Sequence, residues 1–108
     1  MLGNKAVERL NDPRTLRVLS LIIDRPRTAK GIAAELEVEK GNLYRNLRDL
    51  ELLGLIYPGK CHPDECKSNR SHGAAYYPNV RKLEIRISPL AVSYIAHYLD
   101  GTVEEVSR

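Results

Sequence analysis

The stretch from Glu39 to Pro58, EKGNLYRNLRDLELLGLIYP, constrains the chain more than any other. Leu43, Leu47, Leu50 and Leu53 recur at steps of three and four, which predicts a helix over Lys40–Leu53 with one buried face. The opposite face carries Lys40, Asn42, Tyr44, Arg45 and Arg48, all able to donate hydrogen bonds or bear positive charge. Gly41 in the first turn lowers helix propensity by about 1 kcal/mol against alanine. It either permits close approach to a phosphate backbone or marks a frayed end. Gly54 predicts the stop, because glycine enters the left-handed region without a Cβ penalty. Leu55, Ile56 and Tyr57 then read as a strand closed by a Pro58-Gly59 turn.

Upstream, Asn11-Asp12-Pro13 announces a helix: Asn11 or Asp12 caps, and Pro13 fits the first helical position. Leu16, Leu19, Ile22 and Ile23, with Val18 beside them, supply its buried stripe through Asp24. Val7 and Leu10 predict a short helical turn folded back on it. Arg25-Pro26-Arg27 ends the element, since proline restricts the residue before it. Thr28 caps a third helix, Ala29–Leu36, whose apolar positions are Ile32, Ala33 and Leu36. Glu37-Val38-Glu39 forms the turn to the Lys40 helix, with Val38 as a core plug. Two helices joined by a short turn and followed by a strand give a helix-turn-helix over 29–53. In that motif the second helix lies in the DNA major groove. Asn42, Arg45 and Arg48 then face base edges, and Lys40, Tyr44, Thr28 and Lys30 face the phosphate backbone. The competing reading is an ordinary solvated face, with Arg48 paired to Glu51 or Glu35.

From Gly59 to Gly73 the chain is polar and turn-rich, GKCHPDECKSNRSHG, and Ala74 to Tyr77 resumes strand character. A hairpin over 55–78 is expected, its basic loop laid on the minor groove or flanking phosphates through Lys60, Lys67, Ser68 and Arg70. Both cysteines sit in this loop. A Cys61–Cys66 disulfide would stiffen it by about 2–3 kcal/mol in the chain-entropy picture. A zinc site would combine Cys61 and Cys66 with His72 and His62 or Asp64. Two free, redox-responsive thiols are the third chemistry. Val80 to Ile87 alternates Leu83, Ile85 and Ile87 with Lys82, Glu84 and Arg86, a half-buried strand expected at the edge of the hairpin. Ser88-Pro89 is read as opening a final helix, Leu90 to about Leu99, with Val92, Ile95, Ala96 and Leu99 on its apolar face and Asp100-Gly101 breaking it. That segment, 89–106, is expected to pack against a symmetry mate as the dimerisation helix.

The expected fold class is thus α+β, mainly helical: one domain over 1–108, a helix-turn-helix with a long β-hairpin wing and a C-terminal dimerisation helix. With 108 residues and 43% hydrophobic content, one modest core is affordable. The net charge of +3 permits a nucleic-acid partner without demanding one. Cations outnumber carboxylates up to Arg86, and the balance reverses after it. No apolar run approaches the roughly 18 residues that span a bilayer, so a cytoplasmic protein without membrane contact is expected. No Gly-rich phosphate cradle and no nucleophile–base–orienter set is evident, which argues against an enzyme. The alternative function is a winged helix that contacts protein or acts as an architectural, chromatin-like factor.

The residues that carry these readings also carry a family resemblance. Ala33 to Gly59, AAELEVEKGNLYRNLRDLELLGLIYPG, resembles the core of winged helix-turn-helix regulators, especially small archaeal proteins similar to the arsenical-resistance repressor family. Leu10 to Ile23, LNDPRTLRVLSLII, resembles their first helix. The resemblance covers roughly residues 10 to 80. It implies a homodimer on double-stranded DNA, with Asn42 to Arg48 in the major groove and Gly59–Gly73 as the wing. Metal sensors of that family often use cysteines in the recognition helix, or histidines and carboxylates in the terminal helix. Here the recognition helix has no cysteine, and the expected terminal helix offers only His97 and Asp100. The cysteines lie in the wing instead.

Overall fold

A computed structural model describes residues 4–60 and 75–107. The helical half follows the local signals closely. Helix α1 (Asn4–Leu10) precedes α2 (Pro13–Asp24), whose cap is Asp12, its carboxylate accepting the Arg14 N–H at 2.9 Å with proline in the first turn. Strand β1 (Arg27–Thr28) leads into α3 (Ala29–Leu36), where the Thr28 hydroxyl accepts the Gly31 N–H at 3.0 Å. Glu37 ends α3 in the left-handed region at φ 55°, and Val38 packs against the core. Helix α4 (Lys40–Leu52) stops at Gly54, whose φ of 76° is the left-handed turn expected of that glycine.

Strand β2 (Ile56–Gly59) pairs antiparallel with β3 (Ala75–Pro78), and β3 also pairs with β1, giving a sheet ordered β1-β3-β2. Pro58 and Gly59 do not form the turn read from sequence. They continue β2, opposite Tyr76 and Ala75. Proline is tolerated there because β2 is an edge strand, where a missing N–H leaves no ladder bond unmade.

Beyond Asn79 the fold departs from expectation. Strand β4 (Val80–Ile87) pairs with β5 (Val92–Tyr98) rather than with the wing hairpin, and β5 pairs with β6 (Val103–Ser107). The expected helix over 89–106, and dimerisation through it, are therefore replaced by a three-stranded meander ordered β4-β5-β6. The physical reason lies in the segment itself. VSYIAHY is rich in β-branched and aromatic residues, which fit a pleated surface. Tyr94 and Ala96, alternating at period two, are buried in the common core. Asp100-Gly101 is the hairpin turn and not a helix stop: Asp100 accepts both the N–H and the hydroxyl of Thr102, and Gly101 takes φ 93°. Ser88-Pro89 likewise opens a turn, with the Ser88 N–H donating to the Ala91 carbonyl at 2.9 Å.

One core joins both sheets to the helices. Leu10, Val18, Leu19, Ile22, Ile32, Leu43, Leu47, Leu50 and Leu55 share it with Val80, Tyr94 and Ala96. Asn79 is the joint. Its side-chain amide donates to the Gly54 carbonyl at 3.0 Å, its N–H to the Leu55 carbonyl at 2.9 Å, and its carbonyl accepts the Leu99 N–H at 2.9 Å. Asn79→Ala removes the amide and leaves the Gly54 carbonyl short of a partner. A loss of about 1–2 kcal/mol is expected in denaturant unfolding.

On the outward face of β4-β5-β6, Glu84 meets His97 (2.5 Å), Arg86 (3.5 Å) and Lys82 (3.6 Å). The hydrogen bond from His97, aided by the two cations, holds the Glu84 carboxyl below its usual value of 4.5. A carboxylate depressed in the folded state stabilises fully above its unfolded value, and that stabilisation fades as pH falls through the lower folded one. Glu84→Gln is accordingly expected to lower Tm at neutral pH and to flatten the acid limb of the Tm-versus-pH curve, with variant and unaltered protein converging below about pH 4.5.

Candidate nucleic-acid interface

The rotational setting of α4 determines which side chains it can present. Leu43, Leu47 and Leu50 are buried to within 1% of complete coverage, so the helix is fixed about its axis. The opposite face exposes Lys40, Gly41, Asn42, Tyr44, Arg45 and Arg48. A Cβ built on Gly41 would meet nothing, so this glycine serves no internal packing and leaves open space above the first turn.

Among the described residues, Lys40, Arg45 and Arg48 have no carboxylate partner. Neither expected competitor captures Arg48. Glu35 is taken by Arg27, which also reaches Asp24 at 3.1 Å and donates to the Leu21 carbonyl at 2.9 Å. Asp49, on the flank of α4, pairs with Arg9 of α1 at 3.6 Å. Glu35 and Asp49 are thus committed elsewhere, Glu51 forms no ion pair with Arg48, and the three cations are exposed.

The other expected contacts lie outside α4. Thr28 is half-buried, and its oxygen is occupied as the α3 cap while its O–H hydrogen remains to donate. Lys30 in the first turn of α3 is exposed. Lys60 is exposed at the end of β2, and its carbonyl accepts the Tyr77 hydroxyl at 2.6 Å. Cys61, His62, Cys66, Lys67, Ser68, Arg70 and His72 lie outside the described residues. Among the described residues, no three His, Cys, Asp or Glu side chains gather into a metal-holding group.

Several contributors were not singled out from sequence. Tyr57 stacks on Tyr77 across the hairpin, ring centroids 5.5 Å apart. Any side chain at Gly59 would strike the Tyr77 ring, since an added Cβ lies 2.8 Å from it. Tyr76 lines a groove of about 520 Å³ with Tyr44, Arg48 and Glu51. Burial, then the charge of Glu51, then Tyr44 push its hydroxyl above the usual value, keeping it a protonated donor. Arg14 and Arg17 line a second groove, of about 350 Å³, together with Val18, Leu36, Asn42 and Leu43. They place two cations of α2 in one groove with Asn42 of α4. Asn46, placed three residues after Leu43 on the buried side, was the legible signal among these: a polar residue on an apolar stripe needs a partner. It accepts the buried Thr15 hydroxyl at 3.2 Å, linking α2 to α4.

Asn46→Leu strands the Thr15 hydroxyl and is expected to cost about 1–2 kcal/mol. Adding Thr15→Val removes the orphaned group and recovers most of that loss, as a double-mutant cycle in denaturant will report.

The matched family model is described as bacterial regulatory protein, arsR family, and it covers residues 12–57. That span runs from the α2 cap through α4 to Tyr57 of β2. No curated protein matches the chain.

Proposed function

We propose that the chain is a helix-turn-helix DNA-binding transcriptional regulator, a reading supported by the match of residues 12–57 to the arsR-family model, and that it reads a specific duplex site as a homodimer. In this reading α4 enters the major groove. Arg45 and Arg48 pair with guanine edges and Asn42 with adenine, while Lys40, Tyr44, Thr28 and Lys30 hold the backbone. The wing, with Lys60, Lys67, Ser68 and Arg70, lies on the minor groove or adjoining phosphates. The observation that carries the reading is the exposed face of α4, whose three cations have no intramolecular carboxylate partner among the described residues.

The alternative of a protein-contacting or architectural winged helix calls for an apolar recognition surface. Three cations and an asparagine on the exposed face of α4 fit a polyanion better.

A gel shift on the DNA upstream of the protein's own gene, run across a salt series, tests the proposal. Arg45→Ala is expected to weaken the preferred site by about 1–3 kcal/mol and to relax sequence preference at one position. Lys40→Ala should weaken all duplexes alike and lower the log–log salt slope by about 1. Absence of salt-sensitive duplex binding in the unaltered protein would sink the reading.

A further inference from the structure

Strand β4 leaves one edge open: among the described residues it pairs only with β5. Two hydrogen bonds at opposite ends of the sheet fix which backbone groups point outward. The Ser88 N–H donates to Ala91, and the Tyr98 N–H donates to Thr102. Alternation from either bond turns Ile95 and Ser93 of β5 toward β4, and Glu84 and Arg86 of β4 toward β5. Leu83, Ile85 and Ile87 therefore direct their N–H and C=O groups at the open edge. Their side chains form the apolar stripe of the same strand. The stripe runs out of the core along its length: Leu83 is half-buried, Ile85 is 43% exposed, Ile87 is 80% exposed, and Leu90 in the following turn is 96% exposed.

We infer that this edge is the homodimer contact, with two copies of β4 joined antiparallel about a two-fold axis at Ile85. The inference rests on the homodimer reading above and supplies the interface that the absent C-terminal helix leaves open. Charge complementarity and the exposure of Ile85 and Ile87 favour this register. Centred on Ile85, Glu84 of each copy faces Arg86 of the other, Leu83 faces Ile87, and Ile85 faces itself. Opposite charges then share one face and apolar side chains the other. A register centred on Glu84 sets Glu84 against itself and Lys82 against Arg86, which like-charge repulsion disfavours. The opposite edge of the sheet, β6, carries Glu104 and Glu105 side by side. A two-fold pairing centred on Glu104 or Glu105 there sets that glutamate against its own copy. The β4 edge is the self-complementary one, and its union makes the three-stranded sheet six-stranded.

Sedimentation equilibrium of the full chain under reducing conditions, with salt-dependent gel shifts on the same samples, tests this. Arg86→Glu confronts Glu84 with a second carboxylate twice per dimer and is expected to weaken dimerisation at least about tenfold. Adding Glu84→Arg restores opposite pairing and should recover it, with circular dichroism confirming that both variants fold. Ile85→Lys gives a second route, placing two ammonium groups on the axis and yielding monomers. A dimer indifferent to Arg86→Glu and Ile85→Lys overturns the edge while leaving DNA binding intact. So does an unaltered protein that is monomeric yet binds duplex, or one that forms open-ended polymers through β4 against β6. Loss of duplex binding in every sample would instead refute the function proposed for α4.

Discussion

The burial of Leu43, Leu47 and Leu50 sets everything that α4 presents to solvent. A helix turns about 100° per residue, so three leucines held in one core leave no rotational freedom for the positions between them. Asn46 falls on the inner side with them and is satisfied by Thr15. The remaining positions have no choice but to face outward. The chemistry of that outer face is thus a consequence of packing on the inner one. Arg9 and Arg27 engage Asp49 and Glu35, and Arg27 also pairs with Asp24.

Those same local rules made the first half of the chain legible. Asp12, Pro13, Thr28 and Gly54 each act within a few residues of themselves, and each ends or begins an element where its chemistry requires. The exposed candidates on α4 were legible for a related reason, since one helical period predicts both the buried and the solvated face. Arg27 was not. Its sequence context reads as a helix stop, whereas its partners come from α2 and α3 and require the folded turn.

The second half was ambiguous for a physical reason. Val92, Ile95, Ala96 and Leu99 satisfy a helical period, while Val92, Tyr94, Ala96 and Tyr98 satisfy a strand period. Short apolar segments often fit both. The β-branched and aromatic content of the segment favours the strand, and its neighbours complete the choice: β4 needs a partner for its backbone, and Asp100-Gly101 supplies a turn that returns β6 to the same sheet. Leu99, assigned to the helical stripe, is 61% exposed, and Tyr98 instead donates to Glu104 at 2.6 Å. Pro58 and Gly59 misled in a similar way, because an edge strand accepts residues that a central strand would reject. The family match, ending at Tyr57, leaves the whole β4-β5-β6 sheet outside the matched span.

The joint at Asn79 carries a consequence for how such a chain can vary. One residue separates β3 from β4, and its N–H, carbonyl and amide are all committed. Strand faces alternate with every residue. An insertion or deletion of one residue here would turn Leu83 and Ile85 to the face now held by Lys82 and Glu84, and would unmake the core on both sides at once. Length at this point therefore constrains the fold as firmly as any side chain does.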